Sequence, residues 1–138
     1  MKVCGFTFIR NGVKFDYPFE QSIRSIVPLC DVIIVAVGRS DDDTLVRVRS
    51  IDPKIRILET EWDDTQKEGG RVLALETDKA FLAVPEEFDW AFYIQGDEVV
   101  HEKYQAIIRE AAEKYKDDPL VEGLLFHYLH FYGTYDYV

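Results

Sequence analysis

DVIIVAV, residues 31–37, is the stretch on which the fold turns. After Asp31 come six apolar residues without a polar break, five of them β-branched. A strand with one wet face alternates apolar and polar side chains. An unbroken run belongs to a strand covered on both faces, as in parallel sheets whose crossover helices lie above and below. The run ends in a polar loop, GRSDDDT (38–44). Thr44 is placed to cap a short helix, TLVRVRSI, which Asp52-Pro53 stops.

Upstream, VCGFTFI (3–9) reads as a first and central strand, followed by the turn-rich loop RNGVKFDYP. Phe19, Ile23, Ile26 and Val27 then recur at the spacing of one helix face, and Pro28 ends that helix. Downstream, KIRILETEW (54–62) is a third strand. RVLALETDKAFLAV (71–84) is a moderately amphipathic helix with Val72, Leu73, Glu76, Lys79, Ala80 and Ala83 on its inner side. WAFYI (90–94) is a fourth strand, apolar on both faces. In KYQAIIREAAEKY (103–115), Tyr104, Ile107, Ile108, Ala111, Ala112 and Tyr115 form one stripe. LVEGLLFHYLHFYG (120–133) is expected to supply a fifth strand or a pair of strands. Strands alternating with helices over 138 residues predict one α/β domain, Rossmann-like, with a mainly parallel sheet and helices on both faces.

Composition narrows the function. A net charge of −10 leaves no basic face for nucleic acid or for anionic lipid. No apolar run reaches the roughly 18 residues of a membrane span, and the N-terminus lacks a signal-peptide pattern. The expected location is therefore the cytoplasm. Cys4 and Cys30 lie in apolar stretches and read as buried free thiols.

Ligands of open α/β sheets bind beyond the carboxyl ends of the strands. Three loops there carry chemistry: Arg10-Asn11, the 38–44 loop, and Gln95-Gly96-Asp97-Glu98. The last brings two carboxylates, Asp97 and Glu98, out of an apolar strand. Hard oxygen ligands of that kind suit magnesium or manganese held jointly with substrate phosphates. Acidic turn residues at a strand end account for the pattern equally well. Asp41-Asp42-Asp43 is read as a solvated turn and helix-start charge.

The three loops, in this order and spacing over almost the whole chain, resemble the N-terminal part of family 2 glycosyltransferases of GT-A fold. The opening strand and turn of that family correspond to FTFIRN, its second-strand loop to IIVAVGRSDDDT, its Asp-x-Asp strand end to FYIQGDE, and its Ala-rich helix loosely to GGRVLALETDKAFLAV. The resemblance implies a transferase that moves a sugar from a nucleotide-diphosphate donor to the hydroxyl of a glycan or other acceptor. It implies a nucleotide-sugar pocket of Phe8, Arg10, Asn11, Val37, Gly38, Ser40, Arg71, Gln95, Gly96 and Asp97, and a magnesium or manganese site at Asp97 and Glu98. Gln95 stands where the family has the first Asp of its motif, and Val37-Gly38 where it often has the carboxylate that reads the base. Arg71, after Gly69-Gly70, is placed for a diphosphate, although an ordinary surface arginine fits as well. A helix-cap role for His101 is set against a part in the metal site, and His130 is a further metal candidate.

After the expected fifth strand the only acidic residue is Asp136, and no catalytic base is assigned. Tyr132, Tyr135 and Tyr137 crowd the same region, where they would make an acceptor platform. Family members continue well past this point, so the reading expects a truncated domain with an open sheet edge, exposed aromatics and association into a homo-oligomer. A binding or assembly module without catalysis is the alternative. A nucleotidyltransferase is disfavoured because FTFIRNG lacks repeated glycines.

Overall fold

The four strands Val3–Ile9 (β1), Val32–Gly38 (β2), Ile55–Thr60 (β3) and Trp90–Tyr93 (β4) form one wholly parallel sheet in the order β3-β2-β1-β4. They are seen in a computed structural model that describes residues 1–66 and 68–136. Among the described residues four α-helices connect and cover them: Phe19–Ile26 (α1), Thr44–Arg49 (α2), Arg71–Leu82 (α3) and Gln105–Tyr115 (α4). The predicted α/β class, the parallel sheet and the central position of the first strand are all present.

Side-chain alternation along β1 sorts the core into two layers. Val3 and Ile9 face Phe19, Ile23 and Ile26 of α1 and Val48 of α2. Cys4 and Phe6 face Ala80 of α3, with Phe8 packed beside them. Helices therefore cover both faces. Residues Ile33 through Gly38 of β2 are all buried, as an unbroken apolar run requires. Cys4 and Cys30 are free thiols in different layers. Burial pushes their pKa values up, to about 11 for Cys4 and about 12 for Cys30, so both stay protonated at neutral pH.

Several expectations do not survive the tertiary structure. The fifth strand is not formed: residues 121–131 carry no regular structure, and only an isolated bridge joins Tyr132 to Thr134 around Gly133. Leu125 is 98% exposed, and Tyr128 and Leu129 are also exposed. β-Propensity in this segment has no ladder to join, and a strand exists only through its partner. Phe126 meets the sheet through a ring contact with Phe92 at 5.5 Å. The stripe on the last helix is only partly covered: Ile108, Ala111 and Tyr115 are half-buried, with Ile108 packed against the core. Ala112 is buried, but Ile107 and Tyr104 are exposed. That helix meets the domain at its margin, where Trp90 Nε1 donates to the Ala112 carbonyl and Arg109 to the Leu29 carbonyl. β4 is an edge strand, half-exposed along its length rather than covered on both faces.

Thr44 is not a cap. It is the first residue of α2, fully buried, its hydroxyl accepting the Val13 N–H while the Asp42 carboxylate takes the Thr44 N–H. Among the described residues no helix is long and apolar enough to cross a membrane. Tyr137 lies outside the described residues.

Candidate functional site

The strand order reverses between β1 and β4: the chain runs outward from β1 through β2 to β3, then returns to the far side of β1. This is the topological switch point, where open parallel sheets leave a crevice. A cleft of about 400 Å³ opens there, lined by Phe8, Ile9, Arg10, Asn11, Phe15, Tyr17, Trp62, Asp64, Leu73, Gln95, Gly96 and Asp97. Six expected residues meet in it: Phe8, Arg10, Asn11, Gln95, Gly96 and Asp97.

The Asp97 loop is fixed from below by two serines of α1. Ser22, fully buried, donates its hydroxyl to the Gln95 carbonyl at 2.7 Å, and Ser25 Oγ accepts the Val100 N–H at 3.0 Å. The turn is closed on itself as well. Glu98 N–H donates to the Gln95 carbonyl, and the Glu98 carboxylate accepts the Gln95 N–H at 2.9 Å. Glu98 is thereby a partner within the turn and does not line the cleft, whereas Asp97 is exposed in its wall. Gly96 lets the chain pass over Ile9, since a Cβ there would lie 3.1 Å from the Ile9 Cδ1.

Because the Gln95 carbonyl keeps its Glu98 donor, removal of the Ser22 hydroxyl is expected to cost only about 1 kcal/mol. Its local effect should be larger. In Ser22→Ala, hydrogen exchange at residues 95–100 should quicken while α3 stays protected, and equal protection in both regions would show that Ser22 does not hold the loop.

Asn11 joins the first and second strand ends. It adopts a left-handed backbone (φ 50°), its N–H donates to Ser40 Oγ at 2.9 Å, and its Oδ1 accepts the Asp41 N–H at 3.0 Å. Ser40 in turn donates to the Gly38 carbonyl at 2.8 Å. These groups organise the loops, so Asn11 enters the cleft wall as a buried structural amide. The neighbouring acids serve the same turn. Asp41 pairs with Lys14, and Asp42 accepts the Lys14 and Thr44 N–H groups, as expected for a turn and helix start. Burial works to raise the Asp42 carboxyl, but these bonds outweigh it and hold the group below the ordinary carboxylate range.

Val37, Gly38 and Ser40 are not brought to Asp97. They line a second cleft of about 410 Å³ with Arg39, Leu45, Glu59, Thr60 and Glu61. Trp62 covers Gly38: a Cβ on Gly38 would lie 2.4 Å from the indole Nε1. The indole also contacts Phe8 (ring centroids 5.9 Å apart) and lies beneath the Arg10 guanidinium, 5.3 Å from its carbon. Arg10 is held by Asp64 through two bonds of 2.9 and 3.4 Å. The Asp64 hydrogen bond, chiefly, raises the Arg10 pKa further.

Arg71 begins α3 after two glycines with positive φ and is exposed, lining neither cleft. His101 is exposed, and its Nδ1 accepts the Lys103 N–H at 3.2 Å, the helix-cap role. His130 and Asp136 lie in the exposed C-terminal segment, away from the lining.

Trp62, Asp64, Phe15, Tyr17 and Leu73 were not among the residues expected in the site. A signal existed for two of them: the Trp62-Asp63-Asp64 run leaves the carboxyl end of β3, on the ligand side of the sheet. Glu76 of α3 is buried to 1% exposure, satisfied by the Thr60 hydroxyl at 2.6 Å and by Lys79 Nζ. No protein-family model matches the chain and no curated protein matches it, so the functional reading rests on the geometry of this cleft.

Proposed function

We propose that the cleft between the ends of β1 and β4 binds a nucleotide-diphosphate sugar and that the chain is the donor-binding domain of a glycosyltransferase. One observation carries the reading: Arg10, Asn11, Gln95 and Asp97, from loops some 85 residues apart in sequence, line one aromatic-walled cleft at the switch point of a parallel sheet. The aromatic rings of Phe8, Phe15, Tyr17 and Trp62 offer faces to a base or a sugar. Arg10 offers a planar fork to phosphate oxygens.

The donor set fits a hard divalent cation that keeps waters and completes its shell with substrate phosphates, for which one or two protein carboxylates suffice. Asp97 is that carboxylate, with the Gln95 amide beside it. Among the described residues no three metal-ligating side chains gather, as such a substrate-completed site would allow. Magnesium or manganese there would neutralise charge on the leaving diphosphate. Val37 and Gly38, expected in the nucleotide-sugar pocket, are not part of this reading, because they line the second cleft, where Trp62 covers Gly38.

Titration calorimetry with UDP- and GDP-sugars, with and without manganese, tests the proposal. Manganese should tighten binding about tenfold or more in the wild type, and Asp97→Ala should remove that gain. Absence of nucleotide-sugar binding under all conditions ends the reading. Binding that ignores manganese and tolerates Asp97→Ala selects the second reading, a non-catalytic nucleotide-sugar-binding or assembly module. The use of Glu98 within its own turn, with a neutral Gln95, favours that second reading.

A further inference from the structure

Among the described residues that line the cleft are one cation, Arg10, and two carboxylates, Asp64 and Asp97. Arg10 is already engaged: its Nη1 and Nη2 face Asp64 Oδ1 and Oδ2 at 2.9 and 3.4 Å, a two-bond fork of the type that an arginine makes with phosphate. We infer that Asp64 is an internal competitor for the anion-binding face of Arg10, and so a determinant of how tightly the cleft takes a diphosphate. The inference rests on the proposal that an anionic diphosphate is the ligand of this cleft.

The placement of the pair supports an exchangeable contact. Arg10 is anchored on both sides of its guanidinium stem: it follows the central strand β1, and its carbon lies over the Trp62 ring. Asp64 sits in the irregular segment after β3 and is 56% exposed, against 27% for Arg10. An ion pair at that exposure is screened and weak, so phosphate oxygens can replace the carboxylate on Arg10. When phosphate oxygens replace the carboxylate on Arg10, the charge of the guanidinium is spent on the ligand and the two bonds to Asp64 are given up.

Inorganic pyrophosphate with magnesium is the probe, measured by calorimetry on the full chain in four forms: wild type, Asp64→Asn, Arg10→Gln and the double variant. Asp64→Asn should bind about threefold to tenfold tighter than wild type. Arg10→Gln should bind more weakly, and in its background the gain from Asp64→Asn should fall below about twofold, because the competition no longer exists. Thermal melts that superimpose with wild type show that the fold is retained, as the exposure of Asp64 leads one to expect. An Asp64→Asn affinity no higher than wild type overturns the inference, as does a gain of equal size with and without Arg10, which would mark a general charge effect. Absence of pyrophosphate binding in every form overturns it too. Pyrophosphate binding in the expected pattern with no affinity for any nucleotide sugar would uphold the competition and end the sugar-donor reading alone. Manganese-dependent sugar binding with an inert Asp64→Asn would do the reverse.

Discussion

Replacing Phe19 with alanine is expected to lower stability by about 3–5 kcal/mol, the usual cost of deleting a buried phenylalanine ring. Phe19 opens α1 and is 2% exposed. Its ring lies beneath Gly12, where an added Cβ would come within 2.6 and 2.8 Å of two ring carbons, and its Cβ would be 3.8 Å from one on Gly96. The side chain thus supports both loops that make the cleft, the one after β1 and the one after β4. Small domains have about 5–15 kcal/mol in all, so the variant should lose much of its margin. Urea unfolding should show the midpoint shift with little change in slope, and ligand binding should weaken before global unfolding. A cost below about 1 kcal/mol would mean that the loops do not depend on this ring.

Gly38→Ala is expected to cost about 1–3 kcal/mol through overpacking and to displace Trp62. The glycine is required here for closeness of approach. Its backbone is that of the β2 end, unlike Gly69, Gly70 and Gly133, whose positive φ suits glycine for conformational reasons. A Cβ would sit 2.4 Å from the indole Nε1, 2.7 Å from Cδ1 and 3.1 Å from the Arg10 Cβ. An indole cannot fold one atom out of the way, so the ring must move as a whole. The expected result is a merging of the two clefts and a more accessible indole. The chain has two tryptophans, and acrylamide quenching in a Trp90→Phe background would isolate the signal of Trp62. Unchanged quenching together with unchanged stability would show that the contact yields cheaply, and would weaken the claim that Trp62 divides the ligand edge.

Some of this site could be read directly. Arg10-Asn11 and Gln95-Gly96-Asp97 each follow an apolar run that local pattern alone marks as a strand, and parallel strands deliver such loops to one edge of the sheet. Which loops share a crevice is a different matter. The lateral order β3-β2-β1-β4 sets the 38–44 loop on one side of β1 and the Asp97 loop on the other. Glu98 illustrates the limit at shorter range. Its residue type suited a metal ligand, yet its carboxylate is taken up by an N–H three residues earlier.

The amino-acid sequence, on its own, determined the strands and the alternation that makes this an α/β sheet, because two-sided apolar runs and helical spacing are local properties. It did not determine the fate of LVEGLLFHYLHFYG, since strand-forming residues become a strand only beside a partner edge. Tertiary structure alone decided that Trp62 would cover Gly38 and that Asp64 would reach across 54 positions to Arg10. Those contacts join segments that chain periodicity does not relate, and they exist only once the sheet has brought its strand ends together.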